Sequence, residues 1–143
     1  MLRGIFLEPY GRPYIEGRLI IPRLNIRTRL FLCIDTGADR SILMPFDSLD
    51  LGLDYQTLNA GSVISGIGGA GRNFAENALL AFSDGASDFL YELDLLIAAP
   101  NPAINNIPSI LGRDILNRWR ITYDYPARTL TFDVLSADFT FPL

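Results

Sequence analysis

The sequence has 143 residues, 49% of them hydrophobic and 20% charged, with a net charge of -4. That length suggests one domain, residues 1–143, with enough chain to bury a sizeable core. The acidic balance argues against nucleic acid or anionic membrane as a partner, because both need a basic face.

The absences narrow the chemistry further. There is no His, every basic residue is Arg, and there is one Cys. Ser-His-Asp and Cys-His sites, His-ligated zinc and a His general base are excluded. So are a lysine Schiff base, an intrachain disulfide framework and a cysteine-rich metal site. No cofactor is indicated, and an enzyme of this composition would have to work with carboxylates. The N-terminus lacks the apolar core of a signal peptide, and no run is long enough to span a membrane. A soluble, cytoplasmic protein is the expectation.

In chain order, residues 4–8 form a short apolar-leaning segment stopped by Pro9 and Gly11. Tyr14 to Ile21 reads as a strand ended by Pro22, with Pro22-Arg23 as a turn. Leu24 to Phe31 alternates at even positions, the period of a half-buried strand. It runs into an apolar stretch, Phe31 to Ile34, which ends on Asp35. Ser41 to Met44 is a further short strand, and Pro45 to Gly52 could form a helical turn ended by glycine. Ser62 to Gly71 is glycine-rich between strand-like arms and reads as a mobile hairpin tip.

Asn73 to Phe82 has helical propensity, but its all-β surroundings favour a strand. Phe89 to Ile97 begins with alternation and becomes wholly apolar, as a strand entering a core does. In Ser109 to Trp119, the residues Ile115, Leu116 and Trp119 fall on one helical face. This segment is expected to be the one substantial helix, with Trp119 packing it on the sheet. Arg120 to Tyr125 and Thr129 to Val134 form a closing hairpin. The tail, Phe139 to Leu143, is apolar enough to want a partner. Cys33 reads as a small core residue.

Asp35 is the anomaly. A carboxylate at the end of an apolar strand is costly if unpaired, and alone it would be protonated and inert. Two carboxylates about 3 Å apart share one proton, so one can act as base on a water and the other as acid on a carbonyl. The chain has a single Asp-Thr-Gly. The second carboxylate would therefore come from a second copy, in a symmetric homodimer with its axis between the two Asp35 residues. Gly37 allows close approach of the two turns. Thr36 offers a hydroxyl to bond across the axis, and Arg113 is a natural partner for Asp39. The glycine-rich hairpin around Ile67 would fold over a substrate.

Three segments carry a resemblance: Ile34-Asp35-Thr36-Gly37-Ala38-Asp39-Arg40-Ser41-Ile42-Leu43, Gly66-Ile67-Gly68-Gly69, and Ile110-Leu111-Gly112-Arg113-Asp114-Ile115-Leu116. In that order they resemble the retropepsin-like, or retroviral-type, aspartic proteases, over a core of about 14–135. The resemblance implies a mostly β, closed single-lobe barrel with one short helix in its C-terminal half, active as a homodimer. It implies Asp35 as catalytic acid/base and Thr36 as the inter-subunit hydrogen-bonding residue. Gly37 and Ala38 would belong to the substrate-binding turn. Asp39 would bind substrate backbone and pair with Arg113. Gly66, Ile67 and Gly68 would form the flap, with the Ile67 N–H near a bridging water. In viral members the termini interleave into a dimer sheet. Longer connecting segments and Asp114, where Asn is frequent, make this chain look more like a cellular or bacterial member.

Two readings of function follow. One is an aspartic endopeptidase that hydrolyses extended peptides. The other is a catalytically silent dimerisation or peptide-binding module on the same fold. A self-processing domain released from a precursor is a weaker third reading, with no cut site in the chain to support it.

Overall fold

A computed structural model describes residues 1–64 and 71–143. The chain forms β1 (Leu2–Arg3), β2 (Ile5–Leu7), β3 (Arg12–Ile21), β4 (Ile26–Ile34), β5 (Ile42–Leu43), α1 (Pro45–Ser48), β6 (Ala60–Ile64) and β7 (Gly71–Ser83). It continues with β8 (Ser87–Ala98), β9 (Ile110–Leu111), α2 (Arg113–Leu116), β10 (Trp119–Asp124), β11 (Thr129–Val134) and β12 (Phe139–Pro142). The protein is mostly β, as the sequence suggests. Among the described residues no helix is long and apolar enough to cross a membrane.

The alternation read from the sequence sets the faces of β4. Leu30 and Leu32 are buried, while Arg27, Arg29 and Phe31 point outward. β3 pairs antiparallel with β4 from Tyr14↔Cys33 to Ile21↔Ile26. A 3-10 turn at Pro22–Leu24 joins them, closed by Asn25 at φ 52°. Asn tolerates this left-handed conformation better than most residues. The larger sheet runs β12-β8-β5-β9-β4-β3-β7-β6, and β7 also pairs with β8. The pairings therefore pass from β8 through β5, β9, β4, β3 and β7 back to β8. A second sheet has the order β1-β11-β10. The segment with helical propensity, Asn73 to Phe82, is a strand. Its register against β8, from Asn73↔Ala98 to Ser83↔Asp88, shows tertiary pairing overriding local propensity.

The predicted helix differs from the expectation. α2 covers four residues, no more than α1. Trp119 does not lie on it but opens β10, opposite Val134 of β11. Its ring still packs against the sheet layers, 5.0 Å between centroids from both Phe82 and Phe132. The indole N–H donates to Tyr91 Oη at 2.7 Å, and that hydroxyl donates to the Ser136 carbonyl at 2.9 Å. A buried polar chain is thus satisfied link by link.

The apolar tail has its backbone partner within the chain. β12 pairs antiparallel with β8, Phe139 opposite Leu90 and Phe141 opposite Asp88. The other terminus is also engaged, with Leu2 opposite Phe132. Phe139 and Phe141 stack at 6.4 Å and remain exposed.

Candidate active site

Asp35 follows the last residue of β4, where the strand must turn. Its backbone N–H donates to the Leu111 carbonyl at 3.1 Å, so the turn begins while β4 is still paired with β9. The side chain then organises the turn. Asp35 Oδ1 accepts the Gly37 N–H at 2.9 Å, and the Ala38 N–H donates to the Asp35 carbonyl at 3.2 Å. This is the Asx geometry that makes Asp a turn former. A Cβ on Gly37 would stand 3.2 Å from that oxygen, so a side chain there would crowd the carboxylate. Asp35 Oδ2 has no hydrogen-bond partner among the described residues. Asp35 is half-buried rather than fully enclosed.

The two motifs meet directly. Arg113 pairs with the Asp39 carboxylate and donates from Nη1 to the Thr36 carbonyl at 2.7 Å. The Arg113 N–H donates to the Ala38 carbonyl at 2.8 Å. Gly112 lies against this segment: a Cβ there would sit 2.6 Å from the carbonyl carbon and oxygen of Arg40. Thr36, Gly37, Ala38, Asp39 and Arg113 are thus brought together around Asp35. Gly66, Ile67 and Gly68 lie outside the described residues; the arms flanking them, β6 and β7, pair antiparallel.

Sequence reading missed the supports beneath this junction. Ser41 is fully buried; its hydroxyl donates to Asp114 Oδ1 at 2.7 Å and accepts the Gly112 N–H at 3.0 Å. Asp114 Oδ2 also accepts the Ser41 N–H at 2.9 Å. Ser109, equally buried, accepts the Met44 N–H at 2.9 Å and donates to Asp47. Ser41 opens a run that reads as an ordinary short strand and Ser109 a segment expected to be helical, with nothing local to mark either serine. Asp114 did stand out by identity, and its carboxylate suits two donors from Ser41.

A cavity of about 300 Å³ opens beside Asp35, lined by Arg12, Cys33, Ile34, Asn106, Ile107, Pro108 and Ile110. Cys33 is therefore not the core residue expected from its surroundings in sequence. It is half-buried and faces this cavity. Partial burial pushes its thiol pKa up, against a smaller downward pull from the Arg12 charge. A raised thiol pKa leaves less of the thiolate, which is the nucleophilic form. Among the described residues no cluster of His, Cys, Asp or Glu could hold a metal ion.

Residues 15–123 match the family model described as retroviral aspartyl protease. Among solved structures, an inhibitor complex of EIAV protease is similar at 25% identity, with a TM-score of 0.53 over 78% of this chain and 90% of that one. A retropepsin-like aspartic protease from Rickettsia conorii shares the fold at 19% identity, with a TM-score of 0.55 over 98% of this chain and 92% of that one. Among curated proteins no sequence matches. The family match spans both the Asp35 turn and the Arg113 segment, and the chain belongs to the retroviral aspartyl protease family.

Proposed function

We propose that the protein is an aspartic endopeptidase that hydrolyses peptide bonds as a homodimer, with one Asp35 from each subunit. The supporting observation is the half-finished state of the site. Asp35 is held by its own turn through one oxygen, leaves the other without a partner, and borders a cavity. Asp35 is the one carboxylate among the described residues that line this cavity. A symmetry mate would supply a second, and the pair would share a proton.

One carboxylate then takes a proton from a water, which attacks the scissile carbonyl carbon. The other protonates the carbonyl oxygen, and proton return to the leaving nitrogen breaks the C–N bond. Thr36 would bond across the axis, while Gly37, Ala38 and Asp39 would receive the substrate backbone. Arg113 would fix Asp39 and the Thr36 carbonyl. Gly66, Ile67 and Gly68 would cover the bound peptide. No metal or organic cofactor takes part.

The experiment is cleavage of a broad peptide library by wild type and Asp35→Asn, from about pH 3 to 7, the range suited to a proton-sharing pair. Cleavage by wild type and none by Asp35→Asn is the expected outcome. A folded, dimeric wild type that cuts nothing across that range, or an Asp35→Asn protein that cuts equally well, would contradict it.

A further inference from the structure

Four residues form a row across the outer face of the larger sheet. Arg27 of β4 stands opposite Ile20 of β3, Ile20 opposite Leu79 of β7, and Leu79 opposite Glu92 of β8. The alternation of each strand turns the row away from the core. Leu19 and Ile21, which flank Ile20, are buried, as are Ala78 and Leu80 beside Leu79 and Tyr91 beside Glu92. The order along the row is base, apolar, apolar, acid.

Neither end of the row is neutralised. Arg27 and Glu92 are exposed, and neither has an ion pair among the described residues. They stand three strand spacings apart, roughly 14 Å, too far to bond to one another. Ile20 and Leu79 between them are half-buried.

Such a row is complementary to itself. A second copy can lie face to face with the first, about a two-fold axis between the sheets. The axis runs parallel to the strands, midway between Ile20 and Leu79. It reverses the order of the row, so that Arg27 of each copy lies over Glu92 of the other, and Ile20 over Leu79. Every contact then occurs twice, as an isologous interface requires. The strands stay aligned, which is a common packing of two sheets, about 10 Å apart. Charge pairs flank an apolar centre, the usual arrangement of rim and core.

The neighbouring row suits the same axis. Arg29, Arg18, Ala81, Leu90 and Phe139 stand opposite one another in turn. Two arginines directly opposite repel. Arg18 is held by Asp88 at 2.6 Å, but Arg29 has Glu16 at 3.7 Å and a side chain 77% exposed. The axis carries Arg29 over Leu90 of the second copy, beside the exposed Phe139. An arginine stem packs well on leucine, and its guanidinium on the face of a phenyl ring.

We infer that this outer sheet face binds a second copy of the chain, with Arg27 and Glu92 as its reciprocal ion pairs and Ile20 and Leu79 as its centre. The interface is separate from the one at Asp35. Arg27 lies near the start of β4, and Asp35 follows its end. It does not depend on the peptidase reading. A chain that uses both interfaces builds assemblies larger than a dimer.

The test is sedimentation equilibrium over a concentration series of wild type, Arg27→Glu, Glu92→Arg and an equimolar mixture of the two variants. Each variant alone sets like charges opposite one another at both contacts. Mixing the variants sets opposite charges there again. Each variant is expected to weaken the association by about tenfold, because each contact counts twice in the symmetric pair. The mixture is expected to return to near the wild-type value. A damaged fold would not be repaired by mixing. Raising salt from about 0.05 to 0.5 M is expected to weaken the wild-type association. Association that ignores both substitutions, a mixture that does not recover, or no association of wild type would mean that the face is free or meets another partner, and would overturn the inference. The Asp35 interface lacks these residues, so the substitutions leave it unchanged and those results leave the peptidase reading intact. A charge-sensitive association in a protein that cuts no peptide would support the inference and contradict the peptidase reading.

Discussion

Arg113 ties two distant segments together: its guanidinium meets the Asp39 carboxylate and the Thr36 carbonyl at once, across 74 and 77 residues of chain. The Asp39 side chain is 85% exposed and Arg113 38% exposed, so the ion pair alone adds little stability, roughly 0–1 kcal/mol. Its value lies in fixing the turn that carries Asp35. Arg113→Met is expected to shift the melting temperature little and to lower kcat/KM by about 100-fold, the scale of a small displacement of a reacting group. Thermal melts beside peptide cleavage check this. A variant cutting at the wild-type rate would mean that the turn holds without the guanidinium.

Gly112 sets how closely the same segments approach. A Cβ placed there meets backbone atoms of Arg40 at 2.6 Å and the Ala38 carbonyl at 3.0 Å. Backbone gives way less easily than a flexible side chain. Gly112→Ala is expected to destabilise by about 1–3 kcal/mol, as overpacking does in a tight interior. Denaturant unfolding at fixed protein concentration measures it. Unchanged stability would show that the two segments are not in contact in solution.

Glu76 gives the fold an acid-sensitive point. Its buried carboxylate accepts from Arg23 Nε at 3.0 Å, from the Asn59 N–H at 2.9 Å and from Asn59 Nδ2 at 3.2 Å, and it also pairs with Arg23 Nη2. Hydrogen bonding from Arg23 is the main cause holding its pKa below the ordinary 4.5, against an upward push from burial. A carboxylate whose pKa is lowered by folding contributes stability above its unfolded pKa and loses it as pH falls through the folded one. The stability gap between wild type and Glu76→Gln is therefore expected to be full near pH 6 and to shrink as pH drops below about 4.5. Denaturant unfolding at pH 3, 4, 5 and 6 tests this, and a gap independent of pH would refute it.

The sequence exposed those parts of the fold whose cause is local. Even-numbered apolar residues in β4 predicted its buried face because alternation is the geometry of a strand. The Asp-Thr-Gly turn and the Gly-Arg step into α2 marked the candidate site because few residue types suit such turns. The end of α2 was not legible. Ile115, Leu116 and Trp119 have helical spacing, but three residues cannot show where a helix stops. Pairing of Trp119 with Val134 decides it, and that contact is 15 residues away. Ser41 and Ser109 matter through partners 73 and 62 residues distant, and Arg27 and Glu92 through a row that crosses β4, β3, β7 and β8. Such relationships exist only after the chain has folded.

The most direct test of the shared site is a mixing series. Wild-type and Asp35→Asn chains are combined at fixed total concentration, exchanged to equilibrium, and assayed for peptide cleavage. If each active site needs an Asp35 from both subunits, activity is expected to follow the square of the wild-type fraction, falling to about a quarter at an equal mixture. A linear decline, to about half, would mean that each chain works alone and would contradict the two-carboxylate account.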